Sequence, residues 1–222
     1  MAFGPIMRLK VGELEIELAP LGREDMERFI SPGMNQASVS NYLSRRTGNT
    51  LEDEYEWFEK TRKESDSIIW GIFDITDGKR IVIGTTGITG LTNEPLKQAT
   101  SGVLIFDRDY WGKGIATHIH KARTWYLFRQ VGLVRIKSAV IHGNVASLKA
   151  LETSGYSVVY TERNTTFGDG KLRHQDNLEC LNPSLEAWRQ WWGSDRPTKR
   201  SVETRKRTLA ALKWAEEHVS LP

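Results

Sequence analysis

Tyr110-Trp111-Gly112-Lys113-Gly114-Ile115-Ala116-Thr117 decides the fold of this 222-residue chain. An apolar run, Val103-Leu104-Ile105-Phe106, precedes it, and helix-spaced apolar positions (Ile115, Ile119, Ala122, Tyr126) follow. The order is therefore strand, glycine-rich turn, helix start. Such a turn aims backbone N–H groups outward, and the helix N-terminus adds partial positive charge, so a diphosphate can be held without a basic side chain. Two close glycines let the ligand approach the main chain. A Walker-type loop is excluded, because Lys113 lies between the glycines and no Lys-Ser/Thr pair follows. A dinucleotide turn is excluded as well: Thr117 stands where a third glycine is needed, and Arg135-Ile136-Lys137 where an acid is needed.

Working downstream, Leu133 to His142 reads as a strand rich in β-branched residues. Gly143-Asn144-Val145-Ala146-Ser147 then opens a short helix, and Gly155-Tyr156 leads into another strand. Upstream, Leu9 to Leu18 alternates apolar and acidic residues and reads as one half-exposed strand. Helices are expected over Pro20 to Phe29 and Leu51 to Glu64. Two hairpins are expected: one turns at Asp77-Gly78 between Ile68–Ile75 and Ile81–Ile88, the other at Gly168-Asp169-Gly170 between Ser157–Thr166 and Arg173–Leu181. The fold class is mixed α/β, with antiparallel meanders on either side of one β-α-β unit.

Y-W-G-K-G-I-A-T followed by N-x-x-S-x7-G-Y resembles the Gcn5-related N-acetyltransferase (GNAT) superfamily, in the branch of ribosomal-protein N-terminal acetyltransferases. The resemblance spans roughly residues 8–181. It implies a central, mostly antiparallel sheet with a splayed parallel strand pair, here 99–107 and 133–142, and acetyl-coenzyme A as cofactor. On this likeness Leu104, Ile105 and Phe106 supply backbone donors toward the thioester. The segment Trp111, Gly112, Lys113, Gly114, Ile115, Ala116 and Thr117 cradles the diphosphate, and Asn144 contacts the coenzyme arm or caps its own helix. Ser147 matches a donor to the departing thiolate, where many relatives use a tyrosine at the position of Leu151. The family's strand glutamate base falls on Ser101, a poor base, which leaves His142 or His174. His142 and Ser147 are the catalytic candidates, and no metal site is expected. His118 and His120 read as solvent-exposed, Tyr156 as core, and Asp107 as a cap or surface residue.

The implied reaction is direct transfer of acetyl to a primary amine, on a protein N-terminus or a small molecule. Alternatives are an acyl-coenzyme A-binding or nucleic-acid-associated module without chemistry, and an acetyltransferase acting on a modified base or nucleotide amine. Composition agrees with a soluble globular chain, at 39% hydrophobic residues and net charge +3, with mean hydropathy −0.46. No apolar run is long enough to span a membrane. Met1 to Lys10 lacks a secretory h-region, so the cytoplasm is the expected location. The one cysteine, Cys180, permits no intrachain disulfide and reads as a buried thiol. Residues 1–182 are expected to form the acyltransferase domain. Residues 183–222 form a basic, tryptophan-containing helical extension (Trp188, Trp191, Trp192, then a helix over Thr198–His218 with Leu209, Leu212 and Val219 on one side), broken near Ser194-Asp195-Arg196-Pro197. That extension either packs on the core or offers a nucleic-acid contact, an acidic-partner contact or a homodimer interface.

Overall fold

A computed structural model describes residues 2–43, 47–91, 97–184, 188 and 197–222. Among them runs one eight-stranded sheet, in the order β1-β2-β3-β4-β5-β6-β8-β7. The strands are β1 (Met7–Val11), β2 (Leu14–Ala19), β3 (Ser67–Asp74), β4 (Ile81–Thr89), β5 (Gln98–Ile105), β6 (Arg135–Ile141), β7 (Ser157–Gly168) and β8 (Lys171–Leu181). Every neighbouring pair is antiparallel except β5 with β6.

The alternating run at the N-terminus is two strands rather than one. Val11 pairs with Leu14 across a two-residue turn, and Gly12 adopts φ +60° to make it. A two-residue turn preserves the period of two on both sides, so the alternation alone conceals the break. The β7–β8 turn uses Asp169 and Gly170, both at positive φ (51° and 73°), the conformation a tight primed hairpin turn requires.

Helices cover both faces, because alternate strand residues point to opposite sides. Ile72 joins a core under α4 (Ile115–Tyr126) and α5 (Val145–Thr153), with Ile136, Leu178, Cys180 and Tyr156. Its neighbour Phe73 joins Phe29, Phe58, Val82 and Phe106 on the other face. That second layer is covered by α1 (Met26–Arg28), α2 (Ala37–Ser40) and α3 (Leu51–Thr61). Thr50 and Asp53 cap α3 reciprocally, the Asp53 N–H donating to Thr50 Oγ1 at 3.2 Å and the Thr50 N–H to Asp53 Oδ2 at 2.8 Å. The expected helix over 20–29 is only a 3-10 turn followed by α1.

The C-terminal helix α6 (Lys199–His218) packs on the core, with Thr204, Thr208, Ala211, Leu212 and Ala215 buried. Leu209, expected on that side, is 42% exposed instead. Trp191, Trp192 and the break at Ser194-Asp195-Arg196 lie outside the described residues. Gly155 (φ +94°) lies directly against α6, its carbonyl accepting from Thr208 Oγ1 at 3.2 Å. A Cβ there would sit 2.7 Å from the Thr208 Cα. Gly155→Ala should therefore cost about 2 kcal/mol or more and lower Tm by about 4–8 °C, combining left-handed strain with backbone overlap. Thermal unfolding by circular dichroism checks this; an unchanged Tm would mean α6 does not rest on that turn.

Candidate active site

The site begins where β5 and β6 part. They pair at Gln98 with Arg135, Ala99 with Ile136 and Thr100 with Lys137, and then stop. Each strand continues on its outer side: β4 holds β5 as far as Ile105, and β8 holds β6 as far as Ile141. The inner edges diverge, bridged first by Ser138 Oγ donating to the Ser101 carbonyl at 3.2 Å. Thr100, Gly102 and Ala139 are exposed although they lie on central strands, which marks an open cleft on the face of α1–α3.

Backbone alternation identifies the free donors. The Phe106 N–H donates to Ile83 O at 3.1 Å, its carbonyl accepts from Gln36 Nε2 at 3.3 Å, and its ring is fully buried. Phe106 is thus no free donor, which corrects the sequence expectation. Counting back by two, Leu104 and Gly102 also face β4, while Ile105 and Val103 face the gap. Val103 was missed because an apolar run does not reveal which amides its neighbour consumes.

Beneath the parting lies Arg123, fully buried on α4. It donates to the Gly102 carbonyl at 2.7 Å, to Thr86 Oγ1 at 2.5 Å, and toward His120 Nδ1 at 2.8 Å. His120 is therefore not solvent-exposed as expected. Burial, reinforced by Arg123, holds its imidazole well below the usual range and so neutral. The available signal was a charged residue at position 123 amid the apolar helix spacing of Ile119, Ala122 and Tyr126.

The glycine turn closes the same end of the sheet. Gly112 and Gly114 have φ of 75° and 80°, and Gly114 begins α4 with no side-chain cap. The first-turn N–H groups consequently face solvent unclaimed by a capping side chain. Trp111, 42% exposed, pins the turn to β5 by donating from Nε1 to the Ile105 carbonyl at 2.8 Å. Tyr110 anchors its other side, its hydroxyl donating to Asp74 Oδ2 at 2.8 Å. Burial and then that carboxylate push the phenol far above its ordinary range, so it stays protonated. Asp107 accepts from the Asp109 N–H at 3.2 Å and from Arg28 at 3.0 Å, a cap and an ion pair, and does not point at the cradle's amides. Lys113 lies over the Tyr110 ring at 5.2 Å, exposed beside the cradle.

Across the gap, Asn144 caps α5, its Oδ1 accepting from the Ser147 N–H at 3.3 Å, a bond that does not use its amide nitrogen. His142 stands at the end of β6, its Nε2 3.0 Å from Asp176 Oδ1. Burial would raise the Asp176 carboxyl, but hydrogen bonds from Thr161 and His142 outweigh it and hold the carboxyl below its usual value. An ionised Asp176 places the imidazole proton on Nε2, which leaves the Nδ1 lone pair free. The His174 ring lies 5.3 Å from that of His142, edge to face. Asp176 and Tyr42, whose hydroxyl donates to the Gly143 carbonyl at 3.2 Å, had no sequence signal.

Cys180 is fully buried, and burial pushes its thiol up to about 12. It can serve no acetyl-enzyme chemistry.

Residues 15–157 match the acetyltransferase (GNAT) domain family model. The chain belongs to that family, whose acetyl donor is acetyl-coenzyme A. A curated relative, the probable N-acetyltransferase YjcK of Bacillus subtilis (strain 168), is 28% identical over 131 residues, 59% of this chain and 70% of the relative. Among solved structures, Mycobacterium smegmatis RimJ in complex with CoA-disulfide shares the fold at TM-score 0.71 and 18% identity, covering 93% of each chain. Spermidine N-acetyltransferase from Vibrio cholerae, in complex with CoA and spermine, does so at TM-score 0.67 and 19% identity over 75% of this chain and 95% of its own.

The residues present fit the coenzyme: an uncapped glycine turn, an open strand edge and an amide donor opposite. A Cβ at Gly114 would meet only the His118 ring at 3.8 Å, so a substitution there strains the turn without a clash. Gly114→Val should raise the Kd for coenzyme A at least about tenfold by twisting the cradle out of its left-handed geometry. Isothermal titration calorimetry reads the change, and an unaltered Kd would remove the turn from the binding site. Cys180→Ala should keep full turnover, measured as thiol release; a loss of more than about tenfold with unchanged Tm would implicate the sulfur.

Proposed function

We propose that this acetyltransferase passes acetyl from acetyl-coenzyme A directly to a primary amine, in a ternary complex without a covalent enzyme intermediate. An α-amine of a protein or a small molecule is the acceptor. The observation that carries the reading is that the parted strands, the uncapped turn and the His142–Asp176 pair share one end of the sheet. When bound, acetyl-coenzyme A supplies an activated thioester. The amides of Gly112 to Thr117 hold its diphosphate, and the β5 edge at Val103 and Ile105 with Asn144 aligns the arm like an added strand. An edge N–H at Ile105 or Val103 stabilises the negative charge that develops on the thioester oxygen.

His142 removes the proton from the attacking ammonium at Nδ1, while Asp176 fixes the tautomer by accepting from Nε2. Ser147, on the first turn of α5, donates to the departing thiolate. Support for both roles comes from their position beside the cleft and from the absence of an acid at Ser101. His142→Gln should lower kcat about 10²-fold or more. A kcat kept within about threefold in that variant, at unchanged Tm, would assign the base elsewhere. Ser147→Ala should lower kcat about tenfold with little change in coenzyme Kd; equal effects on both would make it a binding residue only.

A further inference from the structure

The wall beyond His142 carries its own information. A depression of about 390 Å³ opens there, lined by Tyr42, His142, Lys171, Leu172, Arg173 and His174. None of these is a carboxylate. The nearby acids are already engaged: Asp176 by His142 and Thr161, and Asp169 by Arg173 and Asn41.

Arg173 is the unusual member. It is only 8% exposed, yet it stands on β8 and lines the depression beside His142. Its guanidinium carbon lies 5.3 Å from the centre of the Tyr42 ring, and its Nη2 donates to Asp169 Oδ2. Its Nη1 is buried and has no hydrogen-bond partner among the described residues. A buried unpaired donor costs about 1–3 kcal/mol, and a charged one more, so folded proteins rarely keep one without a use. Tyr42 bonds the Gly143 carbonyl, tying this wall to the loop that carries Asn144.

Resting on the acetyl-transfer reading above, we infer that Arg173 Nη1 is the anion-binding contact of the acceptor subsite, and that the acceptor is an amine bearing an oxyanion group, a carboxylate or a phosphate. The amine reaches His142 while the anion seats on Arg173, with Lys171 at the rim. Arginine suits this task because its planar fork can hold Asp169 with one nitrogen and a ligand with the other. A polyamine lacks the anion that this contact would seat, so the subsite gives it no preference.

Matched pairs test the inference through thiol release from acetyl-coenzyme A: glutamate against glutamine, O-phosphoethanolamine against ethanolamine, a Ser-Glu against a Ser-Gln dipeptide amide, and spermidine. The anionic member should show a kcat/KM at least about tenfold above its neutral partner, and whichever pair shows it tells carboxylate from phosphate. Arg173→Gln should erase that preference, and Arg173→Lys should restore part of it, with Tm followed to confirm folding. Faster turnover of spermidine, or of the neutral members, overturns the inference while leaving acetyl transfer standing. A readout independent of turnover is calorimetric binding of N-acetylglutamate and N-acetyl-O-phosphoethanolamine, beside their neutral counterparts, to the coenzyme A-loaded protein. Anion-selective binding lost in Arg173→Gln upholds the subsite even if no amine in the panel turns over. Absence of such binding in the wild type, with no anionic preference in turnover, removes it.

Discussion

The divergence of β5 from β6 after three residue pairs is the constraint on which the rest of the molecule depends. Parallel neighbours at the centre of a sheet ordinarily satisfy each other's amides, and leaving them apart costs hydrogen bonds. The sheet tolerates the gap because each strand is fully held on its outer side, β5 by β4 and β6 by β8. Beneath it, Arg123 satisfies the Gly102 carbonyl and Thr86 from below, with the neutral His120 completing the cluster. Burying a guanidinium without a carboxylate is expensive, and here it stabilises the one place where the backbone cannot satisfy itself. The opening then creates its own ligand preference, since an extended, amide-bearing chain is the natural partner of an unpaired strand edge.

The two ends of the cleft use different physics. At the glycine turn the proposed ligand contacts are partial charges on main-chain amides, and the side chains serve as anchors: Trp111 to the Ile105 carbonyl, Tyr110 to Asp74. At the far end the elements are side chains on β6 and β8 whose charges are paired in sequence. Asp176 organises His142, and Asp169 takes one arm of Arg173 and leaves the other. Dipoles position a group whose charge is constant, and titratable groups act where a proton must move.

Much of this was legible in the residues. The turn at 110–117 carries its geometry in its glycines, and α4, α5 and the two hairpins follow from period and turn chemistry. Asp169-Gly170 forms a two-residue turn with both residues at positive φ, and Gly78 takes positive φ in the longer loop between β3 and β4. What stayed hidden depended on partners distant in sequence. The β1–β2 hairpin kept the alternation of a single strand. Phe106 looked like a donor because nothing local shows that Ile83 takes its N–H. Asp176, Tyr42 and Arg173 acquire meaning only once β6, β8 and α2 meet. His120 looked exposed because one-dimensional spacing does not report what α4 lies against.

The central claim is that main-chain amides at the turn and on the open edge of β5 bind the coenzyme. Hydrogen–deuterium exchange of individual amides, followed by NMR with and without coenzyme A, tests it most directly. Slowed exchange at Val103, Ile105 and Gly112 to Thr117, with Phe106 protected equally in both states, is the predicted pattern. Tight binding that leaves those amides exchanging as in the free protein would contradict the account.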